Sequence, residues 1–293
     1  MRCNLCGSAV PGDQEPRWSK HGFEIFRCPS CGLLFRGALP TPKELLSIYA
    51  PGYFRRDAGA DAEGYADYLS DEPEHRLTAL RRVQRLGRAS PPGRLLDVGC
   101  AAGFFLDEAR KAGWQVQGID ISPEMSSWGR EQLQLDIATG LFQQAEYPPC
   151  SFDAVTMWDY IEHSIDPALD FAKAAAVLRP GGVLMLSTGD AASLVARISG
   201  RRWHLLTPRH HNFFFTPGTL RGYLAKNGFE VMQIGHPGSH YSLRYIVYKL
   251  GVMAPGSRAL SALAEWVAAR PLGARAVRVN LGDIVTIQAR RAP

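Results

Sequence analysis

No run of about eighteen consecutive apolar residues, the length a helix needs to cross a hydrocarbon core, occurs in the 293-residue chain, so no transmembrane helix is predicted. The opening stretch MRCNLCGSAVPG holds no apolar segment of the kind a secretory signal uses, and a cytoplasmic location is expected. Excess charge is scarce as well. With 33 Lys and Arg against 28 Asp and Glu, the net charge is only +5. That balance leaves acidic substrates, nucleic acid and anionic lipid open, and the plainest reading is a soluble enzyme with arginine-rich helix faces. Also missing is a dinucleotide fingerprint. Counting G-x-G-x-x-G from Gly99 gives Gly99, Ala101 and Phe104, which disfavours a nicotinamide enzyme. What is present in ordinary amount is apolar material, 46% of residues, enough for a real core.

Of six cysteines, four form two tight pairs, Cys3-x2-Cys6 and Cys28-x2-Cys31, each followed at once by glycine. Two C-x-x-C turns supply the four soft ligands that zinc takes tetrahedrally, and paired thiols of this kind belong to a reducing compartment. Between them RWSKHGFEIFRC alternates as a hairpin does. Residues 1–36 are therefore expected to be a zinc ribbon. A segment this small buries too little surface to fold alone, and with all four ligands from protein no position stays open for catalysis, so the zinc is expected to be structural.

Residues 37–90 read as a helical linker: a short helix at 42–49, a Pro/Gly/Ala-rich loop, then a helix opened by an Asp71–Glu74 capping box with Leu77, Leu80 and Val83 on its apolar face. ASPPG at 89–93 marks a boundary. Beyond it, residues 91–293 alternate strand and helix: RLLDV, QVQGIDI, FDAVTMW and VLMLST as strands, with Ser122, Asp166 and Thr216 opening helices between and after them. Such alternation predicts a mostly parallel sheet covered on both faces, with ligands at the carboxyl ends of its strands.

The segments LLDVGCAAG, VQGIDIS, SFDAVTMWDYIEH and LRPGGVLMLST, in this order over roughly residues 94–235, resemble the successive motifs of the class I S-adenosylmethionine-dependent methyltransferases. The resemblance implies an α/β fold with a doubly wound, mostly parallel seven-stranded sheet, and S-adenosylmethionine as cofactor. Carried over position by position, it implies that Asp97, Gly99, Cys100, Ala101 and Gly103 form the cofactor loop, with Ala101 standing where the family usually has glycine. Asp120 would hold the ribose and Ile121 would lie against the adenine, which Leu141 and Phe142 would wall. Trp158 would lie beside the methionine chain, and Tyr65 and Tyr68 match a segment that covers the cofactor in relatives. Glu162 and His163 are read as structural.

The order Trp203, Pro208, His211, Phe215-Thr216, Leu220, Leu224, Gly228-Phe229 resembles a subgroup that carries a similar ribbon and methylates sugars and other small metabolites at carbon or oxygen. In its deoxysugar C-methyltransferases a glutamate precedes the matching histidine; here His210 stands instead. His211 alone can remove a hydroxyl proton, because imidazole titrates near neutrality. His210 and His211 are the candidate catalytic residues, with a fold-bracing role as the plain alternative for each. Adjacent histidines diverge and chelate one metal poorly, so no second metal is expected, and Phe213–Phe215 are read as core, with one of them facing the site.

Residues 240–280 are expected to form two basic amphipathic helices, read first as a lid and otherwise as a peripheral-membrane or dimer contact. The leading functional expectation is O- or C-methylation of a small-molecule acceptor, with no DNA partner. Behind it stand a ribosomal RNA methyltransferase, in which Arg76, Arg81, Arg82, Arg85 and Arg88 meet phosphates, and a cofactor-binding scaffold without turnover.

Overall fold

The computed structural model describes residues 1–49, 54, 67–253, 262–264, 266–267 and 269–293. Near the amino terminus β1 (Trp18–Lys20) turns through His21-Gly22, both at positive φ, into β2 (Phe23–Arg27), and β3 (Leu34–Arg36) adds antiparallel to it. Helix α1 (Pro42–Ile48) follows, opened by a full capping box between Thr41 and Glu44.

Helix α2 (Glu72–Ala89) departs from expectation at two points. Asp71 makes no cap bond; its Oδ1 accepts instead from Ser242 Oγ at 3.2 Å and Arg244 Nη2 at 3.0 Å, so a long-range partner wins over the local one. The buried face carries Ala79, Val83 and Leu86, at i, i+4, i+7, while Leu77 and Leu80 are exposed. The face turned inward is the one that meets α3 and the cavity described below, and it includes a buried Glu74.

Then come β4 (Arg94–Val98), α3 (Phe104–Lys111), β5 (Gln115–Asp120), α4 (Pro123–Leu133), β6 (Ile137–Thr139), β7 (Phe152–Trp158), α5 (Pro167–Val177) and β8 (Leu178–Gly189). The Ser122 and Asp166 side chains accept from Met125 N and Leu169 N as N-caps, each with proline at the first helical position. After β8 lie α6 (Leu194–Ser199), an irregular stretch, the two-residue β9 (Phe213–Phe214), α7 (Pro217–Lys226), β10 (Phe229–Gly235), β11 (Ser239–Ser242), α8 (Leu243–Met253), β12 (Ala276–Val279) and β13 (Ile284–Arg291). The main sheet has seven strands in the order β10-β13-β8-β7-β4-β5-β6. Its β4–β8 members run parallel, and β13 inserts antiparallel between β8 and β10. The doubly wound, mostly parallel seven-stranded sheet expected from the sequence is therefore present.

Two pairings were not foreseen. Strand β9 joins the ribbon, with Leu34 opposite Phe214 and Phe35 opposite Phe213, so the amino-terminal sheet takes its fourth strand from the far half of the chain. Strands β11 and β12 pair antiparallel and tie together the two ends of the 240–280 segment, in which α8 is one helix and the described residues at 262–264 and 266–267 are also helical. No helix among the described residues is long and apolar enough to cross a membrane.

The ribbon is sewn to the main domain as well as paired with it. Asn4 Nδ2 donates to Asp166 Oδ1 at 2.8 Å, and Asn4 Oδ1 accepts from Ala168 N at 3.0 Å and the Tyr223 hydroxyl at 2.8 Å. Beneath, Phe171 of α5 stacks on Tyr223 of α7 with centroids 5.3 Å apart. Full burial of such a ring stabilises by roughly 2–3 kcal/mol.

Candidate active site

A cavity of about 590 Å³ opens at the carboxyl ends of β4, β5 and β7, the place where a doubly wound sheet offers its ligand crevice. Asp97, Gly99, Cys100, Ala101, Asp120, Ile121, Leu141, Phe142, Trp158 and Tyr68 all line it. Tyr65 lies outside the described residues.

One half of the cavity is built by the turn after β4. Gly99 sits at φ 73°, and a Cβ there would stand 2.7 Å from the Tyr160 ring, so both conformation and space require glycine. Ala101 takes a left-handed φ of 48° without that licence. Its N–H donates to Asp120 Oδ2 at 2.7 Å, while Ser122 N donates to Asp120 Oδ1 at 2.8 Å. The carboxylate at the end of β5 thus fixes the loop and keeps a second lone pair on each oxygen for a ligand. Burial pushes its carboxyl up to about 6. Asp97, gripped by Thr156 Oγ1 at 2.6 Å, is pushed up to about 7 by the same desolvation. Gly103 stands apart from the lining; it caps α3 at φ 84°, where a Cβ would meet the Leu135 side chain at 2.5 Å, so it serves packing and the turn.

The other half collects residues distant in sequence. Helix α2 contributes Glu74, His75, Thr78 and Arg82. His75 stacks under Tyr68 at 4.3 Å, and burial holds its imidazole down near 4. Arg82 lies over the Trp158 ring at 4.6 Å and pairs with Asp159 Oδ2 at 2.7 Å. Arg76 is committed to Glu72, Asp107 and Glu108 at 2.6–2.7 Å, so two of the five arginines considered for phosphate contact are engaged by carboxylates.

Just past β7, Asp159 sits at φ 52°, and the buried Glu162 and half-buried His163 follow in a single helical turn that also lines the cavity. Burial, reinforced by the charge of Asp159, pushes the Glu162 carboxyl up to about 8, and burial brings His163 down to about 4. His163 Nδ1 is 2.6 Å from the Tyr49 hydroxyl and 3.0 Å from the His210 carbonyl.

The two adjacent histidines diverge. His211 lines the cavity, its ring 4.7 Å from that of His163 in a T-shaped contact. Its Nδ1 lies 2.9 Å from the Leu205 carbonyl, an acceptor only, so Nδ1 carries the proton and neutral His211 keeps its lone pair on Nε2. His210 is buried and does not line the cavity, and Phe213, Phe214 and Phe215 are all core, none of them facing the site. Glu162, His163 and His211 each bring a donor atom within 4.8 Å of the others. The first two were read from sequence as structural. The available signal was their place at the carboxyl end of a central strand, where side chains reach the ligand crevice.

Over this half lie Tyr241, Tyr245, Ile246 and Leu250 from β11 and α8, and Leu281 beyond β12. In the ribbon, Cys3 and Cys31 Sγ are 3.5 Å apart, as are Cys6 and Cys28, with all four sulfurs within 4.8 Å of one another. Four sulfurs about 2.3 Å from a central ion have this spacing, so the donor set fits tetrahedral zinc.

Comparison with known proteins bears on the whole arrangement. Residues 71–234 match the family described as Methyltransferase domain. The chain is 33% identical over 187 residues to a ubiquinone biosynthesis O-methyltransferase of Xanthomonas campestris pv. campestris, covering 59% of this chain and 76% of that one. A protein of the same description from Xanthomonas axonopodis pv. citri is 31% identical over the same shares. Among solved structures, the YcgJ protein of Bacillus subtilis overlays with a TM-score of 0.53 at 17% identity, covering 73% of this chain and 98% of that one. An S-adenosylmethionine-dependent methyltransferase of Archaeoglobus fulgidus gives 0.51 at 16%, covering 76% and 99%. With the sheet order, the β4 turn and the family match in agreement, the chain belongs to the methyltransferase domain family and is a class I S-adenosylmethionine-dependent methyltransferase.

Proposed function

We propose that the protein moves the methyl group of S-adenosylmethionine to a hydroxyl oxygen of a small-molecule acceptor, with His211 as general base. One observation carries the reading: a cavity-lining imidazole whose Nδ1 proton is tied to the Leu205 carbonyl, leaving Nε2 basic. In this reading Asp120 accepts from the ribose hydroxyls, and Ile121, Leu141 and Phe142 wall the adenine. Asp97 and Trp158 face the methionine portion, with Tyr68 as cover. The sulfonium is already activated, so the protein's work is alignment, exclusion of water and removal of the acceptor proton. As the acceptor oxygen attacks the methyl carbon, the carbon–sulfur bond breaks and S-adenosylhomocysteine leaves.

Oxygen is favoured over carbon because the residue before His211 is His210, which does not line the cavity, where carbon methylation in the resembling sugar enzymes uses a glutamate. The Xanthomonas relatives, described as O-methyltransferases of ubiquinone biosynthesis, point the same way. Ile246, Leu250 and Leu281 favour a largely apolar acceptor, a hydroxylated secondary metabolite before a bare sugar. In the 240–280 segment β11 and α8 act as its roof, and the ribbon, residues 1–36, holds a structural zinc through Cys3, Cys6, Cys28 and Cys31.

Incubation with ¹³C-methyl S-adenosylmethionine and a panel of phenols, polyketide-like alcohols and deoxysugars tests this. An ether methyl resonance in a small product, lost in His211→Gln, is the expected result. Label in RNA, or on carbon, overturns it.

A second reading rests on the 4.8 Å grouping of Glu162, His163 and His211 donors, which suits a divalent cation that would hold the acceptor oxygen directly. Turnover that needs added Mg²⁺ or Mn²⁺ in protein with its ribbon zinc intact would favour that role for His211 over the base.

A further inference from the structure

His211 sits in a stretch, Trp203–Asn212, that belongs to neither helix nor strand, yet a group acting on an acceptor must be held to a fraction of an ångström. What holds this stretch comes largely from the other end of the chain. Lys20 Nζ, at the end of β1, donates to the Leu206 carbonyl at 2.5 Å, one residue past the carbonyl that fixes the His211 tautomer. Arg36 donates twice, from Nη1 to the Pro208 carbonyl at 3.4 Å and from its backbone N–H to the Asn212 carbonyl at 2.8 Å. Immediately beyond, Phe213 and Phe214 are held as the ribbon's fourth strand. Ile25 and Leu34 of the ribbon share one apolar cluster with Trp203, Leu206 and Phe214. On the opposite side Asn212 is anchored to the β7 turn, its N–H donating to the Glu162 carbonyl at 2.8 Å and its Nδ2 to the His163 carbonyl at 3.0 Å.

We infer that the four-cysteine ribbon is a positioning element of the active site, with Lys20 and Arg36 as positioning residues that set the place and tautomer of His211. This rests on His211 working at the acceptor, as base or as ligand. A ribbon serving only its own fold has no use for donors aimed at carbonyls on both sides of the turn that precedes His211. Zinc in the ribbon would keep β1–β3 ordered and so keep this edge in register.

The test pairs Lys20→Met/Arg36→Met with Lys20→Arg and His211→Gln in the full-length protein. Because a misplacement of about 1 Å can cost a hundredfold, the double variant is expected to lose about tenfold in kcat. Its Kd for S-adenosylmethionine should stay unchanged, and Lys20→Arg should keep most of the activity. In ¹⁵N-histidine-labelled protein, the His211 signals should leave the Nδ1-protonated pattern in the double variant and again when a chelator strips the ribbon zinc, with cofactor binding retained in both. Unchanged kcat and unchanged His211 signals in the double variant would overturn the inference. So would a loss of cofactor binding parallel to the loss of kcat, which marks general unfolding. Full activity in His211→Gln would sink the proposed role of His211 at the acceptor, while the ¹⁵N signals still report whether the ribbon sets that side chain.

Discussion

The two halves of the cavity are built in opposite ways. The half around Asp97, Gly99 and Asp120 comes from consecutive strand ends, and one hydrogen-bonded loop of some twenty residues closes it. The half around His211 draws on α2, the β7 turn, the stretch after α6, and the β11–α8 roof, and it is braced by the ribbon. Local construction suits a ligand shared across a family, since a strand–turn–helix unit can carry the whole site. Long-range assembly suits a ligand that differs between members, because each contributing loop can change alone.

The sharpest break between the halves is His211→Gln. Loss of a positioned base costs about 10²–10⁴ in rate, so kcat should fall by at least a hundredfold while the affinity for S-adenosylmethionine stays put, as calorimetry on the free enzyme would register. Asp120→Asn should do the reverse. Removing charge-assisted hydrogen bonds worth about 1.5–3 kcal/mol weakens cofactor binding by roughly 10–100-fold, with a smaller effect on kcat at saturation. If either variant moved both quantities equally, the division into halves would be wrong.

These expectations differ in how far the sequence alone supports them. The placement of Asp97, Gly99, Ala101 and Asp120 around one turn was legible because strand, turn and acid lie within a short span whose spacing is the signal. The caps Ser122, Asp166 and Thr216 were legible for the same reason. Asp71 was misread because its partners, Ser242 and Arg244, lie about 170 residues away, as the separations of 171 and 173 record. The β3–β9 pairing was invisible too: two phenylalanines carry no alternation, and nothing local says that they complete a ribbon. His211 was singled out by resemblance and lines the cavity, but its tautomer and the contacts that hold its stretch are tertiary facts.

Acidity offers a finer separation. The Asp120 carboxyl, raised to about 6 by burial, must be ionised to accept from two hydroxyls. Cofactor affinity should therefore fall as pH drops below about 6, by up to tenfold per unit, and level off above it. The sign for the unliganded protein is opposite. A carboxyl raised above its ordinary 3.8 contributes stability that is complete below that value and is lost as pH rises through about 6. The increase in melting temperature produced by S-adenosylmethionine should thus grow from pH 5 to pH 7. A flat response would mean that Asp120 does not carry the cofactor's hydroxyls.

The smallest expected effect lies in the turn after β4, at Ala101. Ala101 holds φ at 48°, a conformation that costs an L-residue roughly 1–2 kcal/mol and glycine almost nothing. Against this, glycine loses more freedom on folding, by roughly 0.5–1 kcal/mol relative to alanine. Ala101→Gly should then stabilise by about 1 kcal/mol or less, since the Asp120 bond is made by the backbone N–H and survives the change. Because Ala101 lines the cavity, removing its methyl group would also widen the space proposed for the cofactor. A gain in stability with unchanged cofactor affinity would make Ala101 a tolerated strain. A gain in stability with weaker cofactor binding would make the methyl group part of the wall, and the cofactor half would then carry a specificity of its own.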